Sequence, residues 1–269
     1  MIFGSKSCAE LQIHMIVQIY EIQTPPEAEA MIRLGVDHIG SVILDLSLRR
    51  DAILKQTVET VQAAGRKSSL IPLFNDVDAI SEAVDYYQPD ILHLCETLPA
   101  GREIKQGVFA AADRQKKLRK RFPELELMRS IPIARQGRAD KTATLRLAEL
   151  FEPVSDWFLT DTLLSTAGND HASDQPVPGF IGITGHTCDW SVACALVLQS
   201  RIPVVLAGGI GPMNVAAGIR EVHPAGVDSC TLTNAVDSDN RSIRFKKDPE
   251  KVKAMVTAAR KAIAATPLL

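Results

Sequence analysis

Short apolar runs alternate along the chain with longer stretches in which apolar residues recur every three or four positions. Short runs of this kind are typical of buried strands, and the longer spacing is typical of amphipathic helices. From residue 15 onward the alternation repeats eight times. The predicted strands cover residues 15–20, 36–44, 69–74, 91–94, 125–133, 157–160, 204–207 and 226–229. The predicted helices cover residues 25–34, 51–64, 77–88, 102–121, 141–151, 190–200, 212–222 and 249–265.

Helix signals stand at the ends of these segments. Thr24 and Glu27 form a capping box around Pro25, and Gly35 and Gly65 follow the first two helices as stop signals. Eight strand–helix repeats predict an α/β protein folded as a closed (β/α)8 TIM barrel. A doubly wound open sheet is the rival fold, but it usually has fewer repeats and a GxGxxG motif after its first strand.

Composition adds limits to this picture. No linker or change in composition divides the chain, so we predict one barrel domain over residues 15–269 behind an N-terminal extension of residues 1–14. The formal net charge of −2 gives no reason to expect nucleic acid or an anionic membrane as a partner. Five scattered cysteines without CxxC spacing, and no long apolar segment, favour a cytoplasmic protein. The oligomeric state stays open.

The run from Val204 to Val215 predicts a phosphate-binding turn. A buried strand ends there at Gly208 and Gly209, whose missing side chains let backbone N–H groups approach a ligand closely. Pro212 then stands where a first helical residue is favoured, so free amides and the positive end of a helix would face the same turn. An anion held by backbone groups is the expected occupant.

In a (β/α)8 barrel the chemistry lies where strands end and loops begin. The residues at those positions are Tyr20, Glu21, Asp45, Asn75, Asp76, His93, Glu96, Arg129, Asp161, Gly208, Gly209, Ser229 and Thr231. Asp76 and Asp189 are expected to cap helices. Asp161 follows an apolar strand and precedes a loop, so we predict a catalytic role for its carboxylate. His93 lies in an apolar strand, where either a hydrogen-bonded core histidine or a site residue fits.

Two motifs late in the chain resemble those of the phosphoribosylanthranilate isomerases, the barrels of tryptophan biosynthesis. Residues 182–190, which read GITGHTCDW, are similar to the family's G-G-T-G-x-x-F-D-W, and residues 206–215 are similar to its L-A-G-G-x-x-P-x-N-V. Looser similarities in the same order are Ser47-Leu48-Arg49 to S-P-R, Leu92-His93 to Q-L-H-G, and Asp161-Thr162 to the aspartate after strand six. The resemblance spans residues 15–262.

This resemblance implies a barrel that binds a small phosphorylated sugar derivative and isomerises it by an Amadori rearrangement, with neither a cofactor nor a metal. The implied phosphate-binding residues are Thr184, Gly185, Gly208, Gly209, Ser229 and Thr231. Arg49 would face the carboxylate of an anthranilate-like ring. Asp161 would be the general acid that protonates the ribose ring oxygen and opens the ring.

The end of the first strand departs from the family. The family's general base is a cysteine in a K-I-C-G-I motif, and residues 18–22 of this chain read QIYEI. Tyr20 therefore takes the position of the base, although an unperturbed tyrosine pKa of about 10 suits that task poorly. Glu21 is the neighbouring alternative, but strand alternation turns Tyr20 to the inside. After the last strand, residues 228–232 read DSCTL where the family has D-x-S-S-G.

Two other functions fit the same sequence. A carboxylate-assisted or metal-assisted lyase or hydrolase would use the surplus of acids at the strand ends. These acids are Glu21, Asp45, Glu96 and Asp161. A non-catalytic relative would have kept the scaffold as a binding protein after losing the base. His93 and Arg129 are further candidate site residues, together with Glu21.

Overall fold

The computed structural model describes residues 15–98, 104–138, 142–164 and 175–264. The predicted extension 1–14 and most of the predicted loop 163–180 lie outside the described residues. So do the predicted helix ends at residues 102, 141 and 265.

Eight parallel strands form a closed barrel and follow one another around it in chain order. They are β1 Ile16–Ile19, β2 His38–Ile43, β3 Lys67–Pro72, β4 Ile91–Leu94, β5 Glu126–Ala134, β6 Trp157–Leu163, β7 Val204–Leu206 and β8 Gly226–Ser229. Because β1 pairs with β8 as well as with β2, the sheet closes on itself. The prediction of a (β/α)8 barrel is confirmed.

Each strand is followed by a helix on the outside of the barrel. The helices are α1 Pro25–Arg33, α2 Ala52–Ala63, α3 Val77–Tyr87, α4 Gln106–Arg121, α5 Thr144–Phe151, α6 Trp190–Gln199, α7 Val215–Val222 and α8 Pro249–Ala264. Asp76 and Asp189 cap α3 and α6 as expected, each accepting a backbone N–H that would otherwise lack a partner. None of the helices in the described segments is both long and apolar enough to cross a bilayer.

Alternation along the strands sorts their apolar residues into two layers. Val17, Phe158 and Val227 pack in an outer layer with the helices. Val42 and Leu159 pack in an inner layer inside the barrel. Successive side chains of a strand point to opposite faces, so an inward position near a strand's carboxyl end reaches the mouth of the barrel.

Two predicted boundaries are wrong in ways that affect the barrel mouth. Strand β6 continues to Leu163, so Asp161 lies within a strand rather than at the start of a loop. Helix α7 begins at Val215, so Pro212 is not its first residue. Instead the side chain of Asn214 closes a turn, accepting the N–H of Gly211 and donating to the carbonyl of residue 209, each at 2.8 Å. Asparagine side chains compete with helical backbone bonds in this way.

The connection between β8 and α8 contains a hairpin that the apolar pattern did not predict. A 3-10 helix at Thr231–Thr233 leads into two antiparallel strands, β9 Asn234–Val236 and β10 Ser242–Lys247. The sequence of β10 is SIRFKK, in which charged residues obscure the alternation that identifies a strand. The hairpin reaches the mouth of the barrel, where Arg244 pairs with Glu21.

Candidate active site

The ends of β6, β7 and β8 surround a small polar cleft of about 340 Å³. Its lining includes Asp161, Thr184, Gly185, Gly208, Gly209, Asp228, Ser229 and Thr231. The structure thus brings together all the residues that the sequence proposes for phosphate binding. We call this volume the polar cleft.

The glycine turn of the polar cleft leaves no room for side chains. Gly208 and Gly209 have φ angles of 82° and 60°, a region that other residues rarely adopt. A Cβ on Gly209 would lie 2.5 Å from the backbone nitrogen of Thr187, and one on Gly208 would collide with the Thr162 hydroxyl. The N–H groups of both glycines donate to no described residue. The buried hydroxyl of Ser229 also lacks a hydrogen-bond partner among the described residues. The turn therefore offers unused donors to an anion.

A second cleft of about 550 Å³ adjoins the first and shares Asp161 and Asp228 with it. Its walls are largely apolar, and we call it the apolar cleft. The apolar lining is formed by Val42, Ile71, Leu73, Leu159, Val177, Phe180 and Ile181. Polar groups on its boundary come from Tyr20, Glu21, His93 and Arg244. Together the clefts suit an elongated ligand with one anionic and one apolar end.

Asp161 lies where the two clefts meet. Its Oδ1 accepts the N–H of Thr162 at 2.8 Å. Gly182 passes so close to it that a Cβ there would lie 3.2 Å from the Asp161 Cγ. Burial raises the pKa of Asp161 to about 7, while the hydrogen bond from Thr162 acts in the opposite direction. A carboxyl group that keeps its proton near neutral pH is suited to general acid catalysis.

Asp228, on β8, is a second carboxyl group of the site that the sequence did not single out. Its Oδ1 accepts a hydrogen bond from Gln18 Nε2 at 3.1 Å. Burial raises the pKa of Asp228 to about 7, the Gln18 hydrogen bond lowers it, Asp161 raises it further and Lys247 lowers it. A charged residue at an inward position of a short buried strand was the available signal.

Tyr20 fills part of the barrel interior. Its hydroxyl oxygen lies 2.6 Å from Ser69 Oγ and 2.7 Å from His93 Nδ1. Burial raises the pKa of Tyr20 well above its ordinary value, and the nearby Asp228 adds to the increase. A phenol that ionises less readily than usual, and whose hydroxyl is already hydrogen-bonded, is a poor proton acceptor. The geometry therefore does not support Tyr20 as a replacement for the base.

His93 is hydrogen-bonded through both ring nitrogens. Its Nδ1 contacts Tyr20, and its Nε2 lies 2.8 Å from Ser130 Oγ. Burial lowers the pKa of His93 to about 3, and the positive charge of Arg129 contributes to the decrease. The imidazole is therefore neutral at physiological pH, and it connects the Tyr20 and Ser130 hydroxyls by hydrogen bonds.

Arg49 lines neither cleft. It follows the 3-10 helix Leu46–Leu48, and its Nε donates to Glu82 Oε2 of α3 at 3.0 Å. Its Nη1 donates to the carbonyl of Leu46 at 2.8 Å. The structure therefore does not bring Arg49 to the position that the resemblance implies for the ring carboxylate.

The acids of the metal-assisted alternative do not converge. Glu96 pairs with the fully buried Arg129, whose Nη1 lies 2.6 Å from the carboxylate. Asp45 caps the 3-10 helix after β2, and Glu21 pairs with Arg244. In the part of the chain that the structure describes, no three His, Cys, Asp or Glu side chains form a group that could hold a metal ion. Arg129 and Glu96 thus form an ion pair away from Asp161 and its clefts.

Replacing Gly40 with alanine is expected to destabilise the protein by about 1–3 kcal/mol, the usual cost of overpacking a core. A Cβ on Gly40 would press into the Tyr20 ring and lie 2.7 Å from its Cγ. In a Tyr20→Val background the same substitution should cost little, because the ring is gone. Denaturant unfolding of the two single variants and the double variant measures the coupling. Equal costs of Gly40→Ala in both backgrounds would show that the ring does not occupy the observed position.

The barrel and its paired clefts define a TIM-barrel protein with a ligand-sized site at the carboxyl ends of its strands. No protein-family model matches the chain. The chain is 29% identical over 246 residues to N-(5'-phosphoribosyl)anthranilate isomerase of Synechococcus sp., an alignment that covers 90% of this chain and 94% of that protein. It is 36% identical over 112 residues to N-(5'-phosphoribosyl)anthranilate isomerase 2 of Methanosarcina mazei, and this alignment spans 42% of each.

A solved relative shares the fold. The crystal structure of a phosphoribosyl anthranilate isomerase in complex with reduced 1-(o-carboxyphenylamino)-1-deoxyribulose 5-phosphate matches with a TM-score of 0.62 at 16% identity. The match covers 92% of this chain and 100% of that chain. The chain is thus similar in sequence to two phosphoribosylanthranilate isomerases, and it shares its fold with a third.

Proposed function

We propose that this protein isomerises a phosphorylated aminoaldose to the corresponding aminoketose. The observation that carries the proposal is Asp161, a partly buried carboxyl group between a polar cleft with unused donors and an apolar cleft. The relatives are named for isomerase activity on N-(5'-phosphoribosyl)anthranilate. The ligand of the solved relative has a phosphate at one end and a carboxyphenylamino group at the other. These two ends match the chemical character of the two clefts.

In this proposal the phosphate lies against the glycine turn of the polar cleft. The free N–H groups of Gly208 and Gly209 and the unpartnered hydroxyl of Ser229 supply its hydrogen bonds. Backbone amides bind phosphate without a side-chain cation, as at other glycine turns. Binding there places the sugar next to Asp161 and the amine substituent in the apolar cleft.

Asp161 is the general acid of the proposed reaction. It gives its proton to the ring oxygen of the sugar as the bond between that oxygen and C1 breaks. The lone pair of the amine nitrogen forms a C=N bond to C1 at the same time. Asp161 suits this role because Thr162 supplies its one hydrogen bond from a described residue, so its carboxylate form is poorly stabilised.

Asp228 is the proposed proton acceptor. The amide of Gln18 and the nearby ammonium group of Lys247 both favour its ionised form, which distinguishes it from Asp161. It removes the proton from C2, and the electron pair of that C–H bond forms a C1=C2 double bond while the C=N pair returns to nitrogen. The enol then gives its O–H proton to Asp161, and Asp228 gives its proton to C1, which yields the ketone. Asp161 is again protonated and Asp228 is again ionised.

The direct test is the conversion of N-(5'-phosphoribosyl)anthranilate by the purified protein, with substrate and product separated by chromatography. We expect turnover that saturates with substrate and is inhibited by the reduced ketose phosphate ligand of the solved relative. Tight binding of that ligand without turnover would support the non-catalytic alternative instead. Failure of both turnover and binding would contradict the proposed function.

A further inference from the structure

The hairpin β9–β10 places a guanidinium group on the wall of the apolar cleft. Arg244 of β10 lines this cleft beside Tyr20 and Asp161. The Arg244 side chain is 36% exposed, so a ligand in the cleft could contact it. A cation thus borders a space whose other walls are largely apolar.

Glu21 fixes the position of Arg244. One carboxylate oxygen of Glu21 lies 2.7 Å from Nε and 2.6 Å from Nη2 of Arg244. The other oxygen accepts the backbone N–H of Phe245 at 3.3 Å. Glu21 itself has a φ of 65°, a backbone conformation that costs energy for a residue other than glycine. The guanidinium group is therefore held in place before a ligand arrives.

Two cations, Lys247 and Arg244, lie close to Glu21. The buried Lys247 lies 4.0 Å from Glu21 and donates to the carbonyl of Cys230 at 2.8 Å. Burial raises the pKa of Glu21, but Lys247 and Arg244 outweigh that effect and hold the pKa below its usual value. Lys247 and Arg244 therefore keep Glu21 ionised, and the ionised carboxylate keeps the Arg244 side chain in position.

Arg244 keeps donors that Glu21 does not use. The contacts with Glu21 involve Nε and Nη2, and no hydrogen bond or ion pair joins Nη1 to a described residue. A guanidinium group has five N–H donors in a fixed plane and can bind a second carboxylate along its free edge. Arginine is therefore the side chain that can pair with Glu21 and still bind an anion.

We propose that Arg244 binds a carboxylate carried by the apolar group in this cleft, and so makes the site selective for an acidic rather than a neutral aryl substituent. This assignment rests on the proposed function, because the phosphate in the polar cleft directs the other end of the ligand toward Arg244. Arg49, in contrast, pairs with Glu82 and lines neither cleft. The carboxylate is thus recognised from the hairpin after β8.

The experiment compares two ligands by titration calorimetry. One is reduced 1-(o-carboxyphenylamino)-1-deoxyribulose 5-phosphate, and the other is its analogue with hydrogen in place of the carboxylate. The wild-type protein should bind the carboxylated ligand about 10- to 100-fold more tightly, as expected for a charge-assisted hydrogen-bonded pair. Arg244→Gln should abolish this preference while leaving the affinity for the uncharged analogue nearly the same. Arg244→Lys keeps the charge but loses the planar group, so it should retain part of the preference for the carboxylated ligand.

Arg241→Gln is the matched control, because Arg241 belongs to the same hairpin, is 76% exposed and pairs only with Asp239 among the described residues. It should leave the preference unchanged. A wild-type protein that binds both ligands equally, or an Arg244→Gln variant that keeps the preference, would overturn the assignment while the proposed function stands. If the wild-type protein binds neither ligand, the proposed function fails and this assignment fails with it. Melting curves establish that each variant is folded.

Discussion

Asp161→Asn is expected to lower kcat for the proposed rearrangement by about 10²- to 10⁴-fold, the range typical of a lost general acid. The amide is far too weak an acid to give a proton to the ring oxygen. Its size is nearly the same, and its carbonyl oxygen can still accept the N–H of Thr162. Binding of the reduced ketose phosphate should therefore change little. Steady-state kinetics and ligand titration on the same preparation separate the two effects.

The control for this variant is Asp76→Asn, which replaces an exposed helix cap that lines neither cleft. Asparagine caps helices about as well as aspartate, so activity and stability should both be retained. Asp228→Asn should reduce kcat by a similar factor to Asp161→Asn if it is the proton acceptor. A kcat within about threefold of wild type for Asp161→Asn would contradict the mechanism, because general acid catalysis is worth far more.

The pH dependence gives a second test of the same pair. Burial raises the pKa of both Asp161 and Asp228 to about 7. The proton donor is lost above that pH and the proton acceptor is lost below it, so kcat/KM should follow a narrow bell with its maximum near neutrality. The residual activity of Asp161→Asn should lack the alkaline decline, because the group that loses its proton there is absent.

The raised pKa of Asp161 also predicts how the stability of Asp161→Asn depends on pH. The folded-state pKa of Asp161 lies well above the ordinary pKa of an aspartate, so the folded protein favours the protonated form. Its stabilising contribution is complete below the unfolded pKa and is lost as the pH rises through about 7. Asp161→Asn should therefore unfold at a higher temperature than wild type at pH 9, and the difference should vanish near pH 4. A loss of activity with this gain in stability cannot come from unfolding.

Gly209→Ala is expected to destabilise the protein by about 2–5 kcal/mol, the sum of left-handed strain and overpacking. Its φ is 60°, and a Cβ would meet the backbone of the facing loop, 2.7 Å from the carbonyl oxygen of His186. Backbone atoms cannot rotate away as a side chain does, so the loop must move. Affinity for phosphate-bearing ligands should fall at least tenfold, because the amides of the turn move with it.

Gly65→Ala is the matched control. Gly65 has a φ of 67°, close to that of Gly209, but a Cβ there would meet nothing within 4 Å. It therefore measures the backbone strain alone, at about 1 kcal/mol. The difference between the two variants in chemical denaturation isolates the close approach of the two loops. Equal destabilisation would contradict the tight packing at Gly209.

The fold could be predicted from the sequence because its signals are local and repeated. Buried parallel strands are short apolar runs, and capping residues such as Asp76 and Asp189 mark where helices begin. The apolar pattern did not predict the β9–β10 hairpin, because the second strand of the hairpin is rich in charged residues. The start of α7 was misplaced because Asn214 forms a side-chain turn that a proline preference cannot reveal.

The candidate site could be predicted only in part. The glycine turn and Asp161 could be predicted, because a glycine pair after a buried strand allows close approach of a ligand, and a carboxylate beyond an apolar run caps no helix there. Asp228 depends on a distant partner, Gln18, for its hydrogen bond, and a local pattern does not show which side chains meet inside a barrel. Arg49 illustrates the reverse case. Its motif resembles that of a family, but its pairing with Glu82 comes from the packing of a neighbouring helix.

The ion pair of Glu21 and Arg244 has a consequence for how the chain folds. The two residues are 223 positions apart, so they can meet only after the first and last parts of the chain have come together. Contacts of such long range carry the largest loop-closure cost and form late. We therefore expect the cation of the apolar cleft to be assembled late in folding, so that a ligand that binds it would stabilise the finished barrel while leaving incomplete chains unaffected.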